Sequence, residues 1–430
     1  MTEMKNAWRD PLRFAMDSRL NKTGTVLLFA ALMAAFCLLA GKLCAGMEGA
    51  PVIVLLCTAA LAMLAVGAHL ALLDVKPGRY TKVLEPMLTD MWNYELVTAM
   101  AWEDGAWSGV YLIFMGLLSR VENFSWLYAV KLFDLLCQCI AAGAVLRLAL
   151  QRGAKVYGAL AAMFACVLAP TMLMNAGVWA QCDATFTMLA LWGLALLLDD
   201  HPLAGCVLLG LALGTKLQSA FLFPLLIVLF MKNRVQLRYI LALIAAAFLC
   251  QIAIVLDGQG LTSLVTRYAV QLEDARWELG LSDGMPNVYK LMNVASTREF
   301  SGMGLYLGIA SALLVVAALL RTRRALTNDT LLLGALLLCC GLPLILPQMN
   351  ARSWYLAGML AFASAGNARR MIAAGLIEFI SLCAYMASIF GFDVVPAVPL
   401  ALMAIGTAVL VLLELLDAIL EKKDGEALRA

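Results

Sequence analysis

The chain has 430 residues, of which 63% are hydrophobic and only 14% charged, and its mean hydropathy is +0.88. Soluble domains are roughly half apolar and a quarter charged, so these values exclude a soluble globular enzyme and describe an all-α polytopic membrane protein. A net charge of +2 without a polybasic block excludes nucleic acid as a partner.

Residues 1–23 mix both charge signs, lack the basic start and small-residue cleavage site of a signal peptide, and read as a cytoplasmic or interfacial segment. The transmembrane domain follows over residues 24–420, with a cytoplasmic tail at 421–430. A hydrocarbon core of about 30 Å needs about 20 apolar residues per helix. That ruler predicts spans near 24–46, 51–74, 126–148, 157–174, 184–199, 202–215, 217–231, 237–256, 302–320, 329–346, 353–366, 371–390 and 396–418. Several are short, and 202–231 reads equally as two half-helices broken at Gly214-Thr215-Lys216, so the bundle holds about 11–13 transmembrane helices.

Orientation follows from Lys and Arg in the short loops. Arg147, Arg152 and Lys155 mark one cytoplasmic turn; Lys232, Arg234 and Arg238 a second; Arg321, Arg323 and Arg324 a third; Arg369 and Arg370 a fourth. The parity puts NAGVWAQCD at 175–183, the loop 257–300 and PQMNARSW at 347–354 outside. It puts the loop 75–125 outside as well. Two spans before that loop would leave the basic N-terminus outside, so residues 24–46 are interfacial or re-entrant, or the N-terminus breaks the rule. Within 75–125, GVYLIFMGLLS at 109–119 is too short to span and reads as a juxtamembrane helix.

The twelve cysteines lie mostly in apolar runs without CxxC or zinc spacing, and His69 and His201 stand alone. Cysteine in that setting behaves as a small hydrophobe, and no metal site is expected. A divalent cation is compatible with the sequence but not required by it, and any cofactor is unknown.

Polar chemistry concentrates at the outer boundary. Asp183 opens an apolar run, where a carboxylate suits a helix N-terminus as a cap, but capping leaves Trp179 and Gln181 unexplained. Lys216 and Gln218 stand in apolar surroundings at the next outward turn, and a lone Lys there can snorkel. By parity Arg352 and Tyr355 share this boundary. An Arg with its planar fork and a Lys as a point charge suit a lipid-linked phosphate, and a carboxylate nearby suits general-base attack by a sugar hydroxyl.

Residues 175–227, from NAGVWAQCDATF to GTKLQSAFLFPLLI, resemble the signature region of bacterial integral-membrane glycosyltransferases of the GT-C superfamily. Asn175, Gly177, Trp179, Gln181, Asp183, Ala184, Lys216, Gln218 and Pro224 match its pattern. LGLSDGMPNVYKL at 279–291 is similar to the family's LSLNAPNIY loop, which brings in Tyr289, and LPQMNARSWYLA at 346–357 to its LPRMHERYFYLA segment. The likeness covers most of residues 75–360. It implies a GT-C-like bundle in a bacterial plasma membrane, a polyprenyl-phosphate sugar as donor, and a glycan or lipid acceptor.

Two departures bear on chemistry. The family's first outer loop carries SGDYxxFLxPW, whose Asp is the expected base; PGRYTKVLEPM at 77–87 has Arg79 there and Met87 for Trp. In the late segment Asn350 and Ala351 replace His and Glu. Arg cannot act as a base. Either the base has moved to Asp74 or to Glu103 and Asp104 in WEDGAWSG, or Asp183 serves, or the protein binds the donor lipid without transfer. A flippase or transporter built on broken helices is a third class.

Overall fold

The computed structural model describes residues 22–28, 30–31, 33–35, 38, 41, 51–102, 108–121, 124–266, 280–292, 298–322 and 326–420. Helices dominate them: the chain is an all-α polytopic membrane protein. Six helices are long and apolar enough to cross a membrane, and eight shorter apolar helices accompany them among the described residues. The expected span 24–46 is helical over 22–28, and much of its remainder lies outside the described residues.

The principal helices in chain order are α1 (Pro51–Ala71), α2 (Gly109–Leu118), α3 (Trp126–Gln151), α4 (Val156–Leu168), α5 (Asp183–Leu198), α6 (Pro202–Thr215), α7 (Phe223–Met231), α8 (Leu237–Leu249), α9 (Arg298–Arg321), α10 (Asn328–Ile345), α11 (Tyr355–Ser364), α12 (Ala368–Phe390) and α13 (Ala397–Leu420). Leu, Ala and Val without charge run along most of each, as the apolar pattern requires. Small residues set the closest crossings. A Cβ on Gly210 would stand 2.1 Å from the Leu243 carbonyl oxygen, and one on Gly214 would stand 2.1 Å from Cys250 Sγ. The four-residue spacing of Gly210 and Gly214 thus lets the α6 backbone lie against α8. Gly193 and Gly205 do the same where α5 crosses α6.

The expected juxtamembrane helix at 109–119 is α2, but it is largely buried, with Tyr111, Leu112 and Met115 in a second core beside Leu84, Leu88 and Met91. Its docking depends on Gly109, whose φ is +58°, and a Cβ there would be 2.5 Å from the Gly214 carbonyl oxygen. Ser108 Oγ donates to that same oxygen at 2.8 Å, and Val110 N donates to Thr215 Oγ1 at 3.2 Å. The first loop is thereby tied to the turn that carries Lys216.

Two groups of polar contacts mark opposite ends of the bundle. At one end Arg147 pairs with Asp199, Arg234 with Asp200, and Arg370 with Asp329 and Glu414. The Arg370 network joins α10, α12 and α13. These are the basic turns that parity grouped on one face, and the signature residues meet at the other end. There a two-residue parallel pairing, β1 (Ser282–Asp283) with β2 (Met349–Asn350), joins the late loop to the segment bearing Arg352.

Candidate functional site

The site begins where a helix is interrupted. Pro170 has no N–H and forces Ala169 into an extended conformation, ψ 139°, so α4 must stop there. The chain resumes as one helical turn, Pro170–Leu173, whose exposed N-terminal donors need an acceptor. Glu378 of α12 supplies it: its Oε1 accepts from Thr171 N at 2.8 Å and from Thr171 Oγ1 at 2.7 Å. A wide turn over Met174–Val178 follows, then Ala180 at φ +51°. Gln181 N closes the loop onto the Asn175 carbonyl at 3.1 Å. This irregular backbone aims Asn175, Trp179, Gln181 and Asp183 at one point.

Asp183 is fully buried. It is the first residue of α5, and its side chain caps nothing: the preceding residue, Cys182, also makes no side-chain cap. This corrects the expectation of an N-cap. One carboxylate oxygen instead accepts from Lys216, at the C-terminus of α6. The other accepts from Arg352 Nη1 at 3.1 Å and from Asn175 Nδ2 at 2.9 Å. Arg352 Nη1 also donates to Gln181 Oε1 at 2.6 Å, and its guanidinium carbon lies 5.2 Å from the Trp179 ring centre. The Lys216 ammonium lies 5.1 Å from the Phe186 ring centre. Such cation–aromatic contacts stabilise a desolvated charge by about 0.5–2 kcal/mol.

Arg79 belongs to the same neighbourhood. Burial lowers its pKa, the nearby Arg352 guanidinium lowers it further, and Cys182 and Asp183 act the other way. Lys216 and Arg352 both pair with the Asp183 carboxylate, and Arg79 lies within electrostatic reach of Arg352 and Asp183. The two cations that pair with Asp183 outnumber that carboxylate by one.

The late segment is shaped to present Arg352. Asn350 Oδ1 accepts from Arg352 N at 3.0 Å and the Asn350 carbonyl accepts from Ser353 N at 3.0 Å, an Asx-type turn. Asn350, at a position where the resemblance expects His, thus acts through the backbone. Ala351 is buried against Ala384 and Tyr385 of α12, beside Met174 and Trp179. A methyl group fits there, and a Glu side chain would have to displace α12.

Of the other expected residues, Gln218 Nε2 donates to Ser353 Oγ at 3.2 Å, which ties the Lys216 turn to the Arg352 loop. Tyr289 Oη donates to the Ile345 carbonyl at 2.6 Å and so anchors the late loop to α10. Tyr355 is buried behind the cluster, and its hydroxyl has no hydrogen-bond partner among the described residues. Asp74 stands apart from the cluster. Its side chain is 60% exposed, Lys22 and Tyr128 Oη donate to it, and those bonds, Lys22 first, lower its pKa. Glu103 and Asp104 lie outside the described residues. No group of three or more His, Cys, Asp or Glu side chains gathers to hold a metal among the described residues.

Sequence reasoning missed several participants. Tyr385 accepts from Asn175 Nδ2 at 3.2 Å and packs edge-on against Trp179, ring centres 5.1 Å apart. It lies in a long apolar run, where nothing distinguishes it from a belt aromatic. Lys131 and Asp134, three residues apart in α3, carried a signal in their charge, since ionisable groups inside spans usually have a role. Lys131 Nζ donates to the carbonyls of Leu72, Leu73 and Val75 at 2.5, 3.0 and 2.6 Å, closing the end of α1. No family model matches the chain, and no curated protein matches it either.

Proposed function

We propose that the protein is a membrane glycosyltransferase that moves a hexosyl group from a polyprenyl-phosphate-linked donor to a cell-envelope glycan or lipid acceptor at the outer face of a bacterial plasma membrane. The observation that carries this reading is an excess of positive charge in the ion-paired set: Lys216 and Arg352, from two separate segments, share the one carboxylate of Asp183. An anionic ligand offsets that excess, and a phosphate accepts from both an Arg fork and a Lys ammonium. Trp179 offers a ring face beside it, and the bundle's apolar surface suits the polyprenyl tail.

In the transfer, the acceptor oxygen forms a bond to the anomeric carbon while the bond from that carbon to the phosphate oxygen breaks. The electron pair leaves on the phosphate, where the cations stabilise the developing charge. The acceptor proton goes to a carboxylate. Asp183 is held by two cations and an amide, so the candidates for this role are Glu103, Asp104 and Asp74. The test incubates purified protein with a synthetic polyprenyl-phosphate sugar and acceptor glycans. Release of free polyprenyl phosphate, lost in Glu103→Ala or Asp104→Ala, supports transfer.

One observation favours a second reading, a catalytically silent relative that binds lipid-linked sugars within an envelope assembly. The Asp183 carboxylate is already held by Lys216 and Arg352, and Arg79 stands where the resemblance expects a base. Binding of the donor without release under any acceptor supports that reading.

A further inference from the structure

Three site-bearing segments meet the C-terminal half of α12, a helix outside the stretch that carries the family resemblance. The wide turn before Trp179 meets it through Met174 and Trp179, which pack on Tyr385. The Arg352 loop meets it at Ala351, buried against Ala384 and Tyr385. The late loop meets it at Gly284, φ +83°, where a Cβ would lie 2.9 Å from Ser388 Oγ. Tyr385 stands at the centre of these contacts and is 1% exposed.

We infer that Tyr385 is a positioning residue that fixes the two halves of the anion site, Asp183 and Arg352, relative to one another. It reaches each through a different intermediate. Asn175 spends both hydrogens of its side-chain amide, one on Asp183 Oδ2 at 2.9 Å and one on Tyr385 Oη at 3.2 Å. The tyrosine oxygen therefore fixes the amide plane that orients the carboxylate. The tyrosine ring backs Trp179 edge-on at 5.1 Å, and Trp179 in turn carries the Arg352 guanidinium at 5.2 Å. Edge-to-face packing restrains ring orientation, so Tyr385 sets the plane on which Arg352 lies. Glu378, two helical turns earlier in α12, holds Thr171 at the head of the same irregular segment. Both ends of the segment that presents Asp183 are thus referred to one rigid helix.

The inference rests on the anion-binding part of the proposed function and not on transfer. It is tested by the affinity of the full-length purified protein for polyprenyl phosphate in detergent, with thermal stability measured on the same samples. Tyr385→Phe keeps the ring and removes the oxygen. Loss of one neutral hydrogen bond corresponds to about a 2- to 10-fold weaker affinity, and this variant retains its shape and folds. Tyr385→Leu removes the ring as well, and a further loss of about 10-fold is expected. In a Trp179→Leu background, where the ring has nothing to seat, the Leu and Phe replacements at 385 should cost the same. Unchanged affinity with lowered stability in Tyr385→Phe and Tyr385→Leu would make Tyr385 a packing residue and overturn the inference. So would additive losses in the Trp179→Leu background. Wild-type protein that fails to bind polyprenyl phosphate overturns both the anion site and the brace. Wild-type protein that binds it but never releases sugar removes the transfer reading alone, and the affinities still decide the role of Tyr385.

Discussion

Replacing Asp183 with Asn removes the single negative charge at the centre of the cluster while keeping its size. Lys216 and Arg352, with side chains only 18% and 11% exposed, then lose their shared counterion. At an effective dielectric of about 20, unit charges about 4 Å apart attract by about 4 kcal/mol. Desolvation offsets much of that attraction in the intact pair, but it does not diminish when one partner is removed. Deleting one member of a buried pair therefore costs roughly 3–5 kcal/mol. The Trp179 and Phe186 rings and the Gln181 acceptor remain, so this range serves for the site as a whole rather than for each pair. An unfolding entropy of about 2.1 cal/mol/K per residue over 430 residues comes to about 0.9 kcal/mol/K. The expected fall in Tm is then roughly 3–6 °C for cooperative unfolding. Differential scanning fluorimetry in detergent measures it. Adding pyrophosphate should recover more stability in Asp183→Asn than in wild type, because the added anion takes the place of the lost carboxylate. A Tm within about 1 °C of wild type, with equal stabilisation by pyrophosphate in both proteins, would refute the account of Asp183 as the counterion of a cationic site.

Gly109→Ala should destabilise the protein by more than the roughly 1–2 kcal/mol of left-handed backbone strain, because its Cβ meets the Gly214 carbonyl oxygen at 2.5 Å. Since that carbonyl adjoins the Lys216 turn, chemical denaturation and pyrophosphate affinity should both be affected. Arg352→Lys keeps the charge but loses the planar fork that serves Asp183, Gln181 and Trp179 together; about tenfold weaker binding of pyrophosphate by calorimetry is expected. Thr171→Val removes the hydroxyl that donates to both Glu378 oxygens, leaving only the Thr171 N bond, and the underpaired carboxylate costs about 1–3 kcal/mol in the same denaturation experiment. For acid, the sign follows from Asp74, whose folded pKa lies below its usual value because Lys22 and Tyr128 donate to it. Its contribution is present above the unfolded pKa and lost as pH falls through the folded pKa. Being exposed, it is worth at most about 1 kcal/mol, so Asp74→Asn should trail wild type slightly at neutral pH and converge with it in acid, read from unfolding curves against pH.

Helix class, membrane character and the positions of the six long apolar helices could be read from one-dimensional pattern, because a long apolar run has few alternatives to a buried helix. Parity of basic turns grouped Asp183, Gln181, Lys216, Gln218, Arg352 and Tyr355 at one end, and the structure joins Asp183, Lys216, Arg352 and Gln181 directly, with Gln218 bonded to the neighbouring Ser353. Periodicity could not reveal how the chain continues from the break at Pro170, inside the span predicted at 157–174, into the wide turn at Met174–Val178. Proline marks the break, but the path beyond it depends on Glu378, 207 residues away in sequence from Thr171. For the same reason Asp183 read as a cap: its helix position was evident, and its partners Lys216 and Arg352, 33 and 169 residues distant, were not.

What the sequence determined by itself is the kind of molecule and the inventory of polar groups at one membrane boundary, since both follow from local composition and helix period. Tertiary structure decided which of those groups share charge, and it brought in Tyr385 and Glu378 from an apolar helix with no motif of its own. The physical reason lies in range. Hydrophobic patterning acts over neighbouring turns, whereas a buried ion pair and the ring that seats it are made by whichever segments the packed bundle brings within about 4–6 Å.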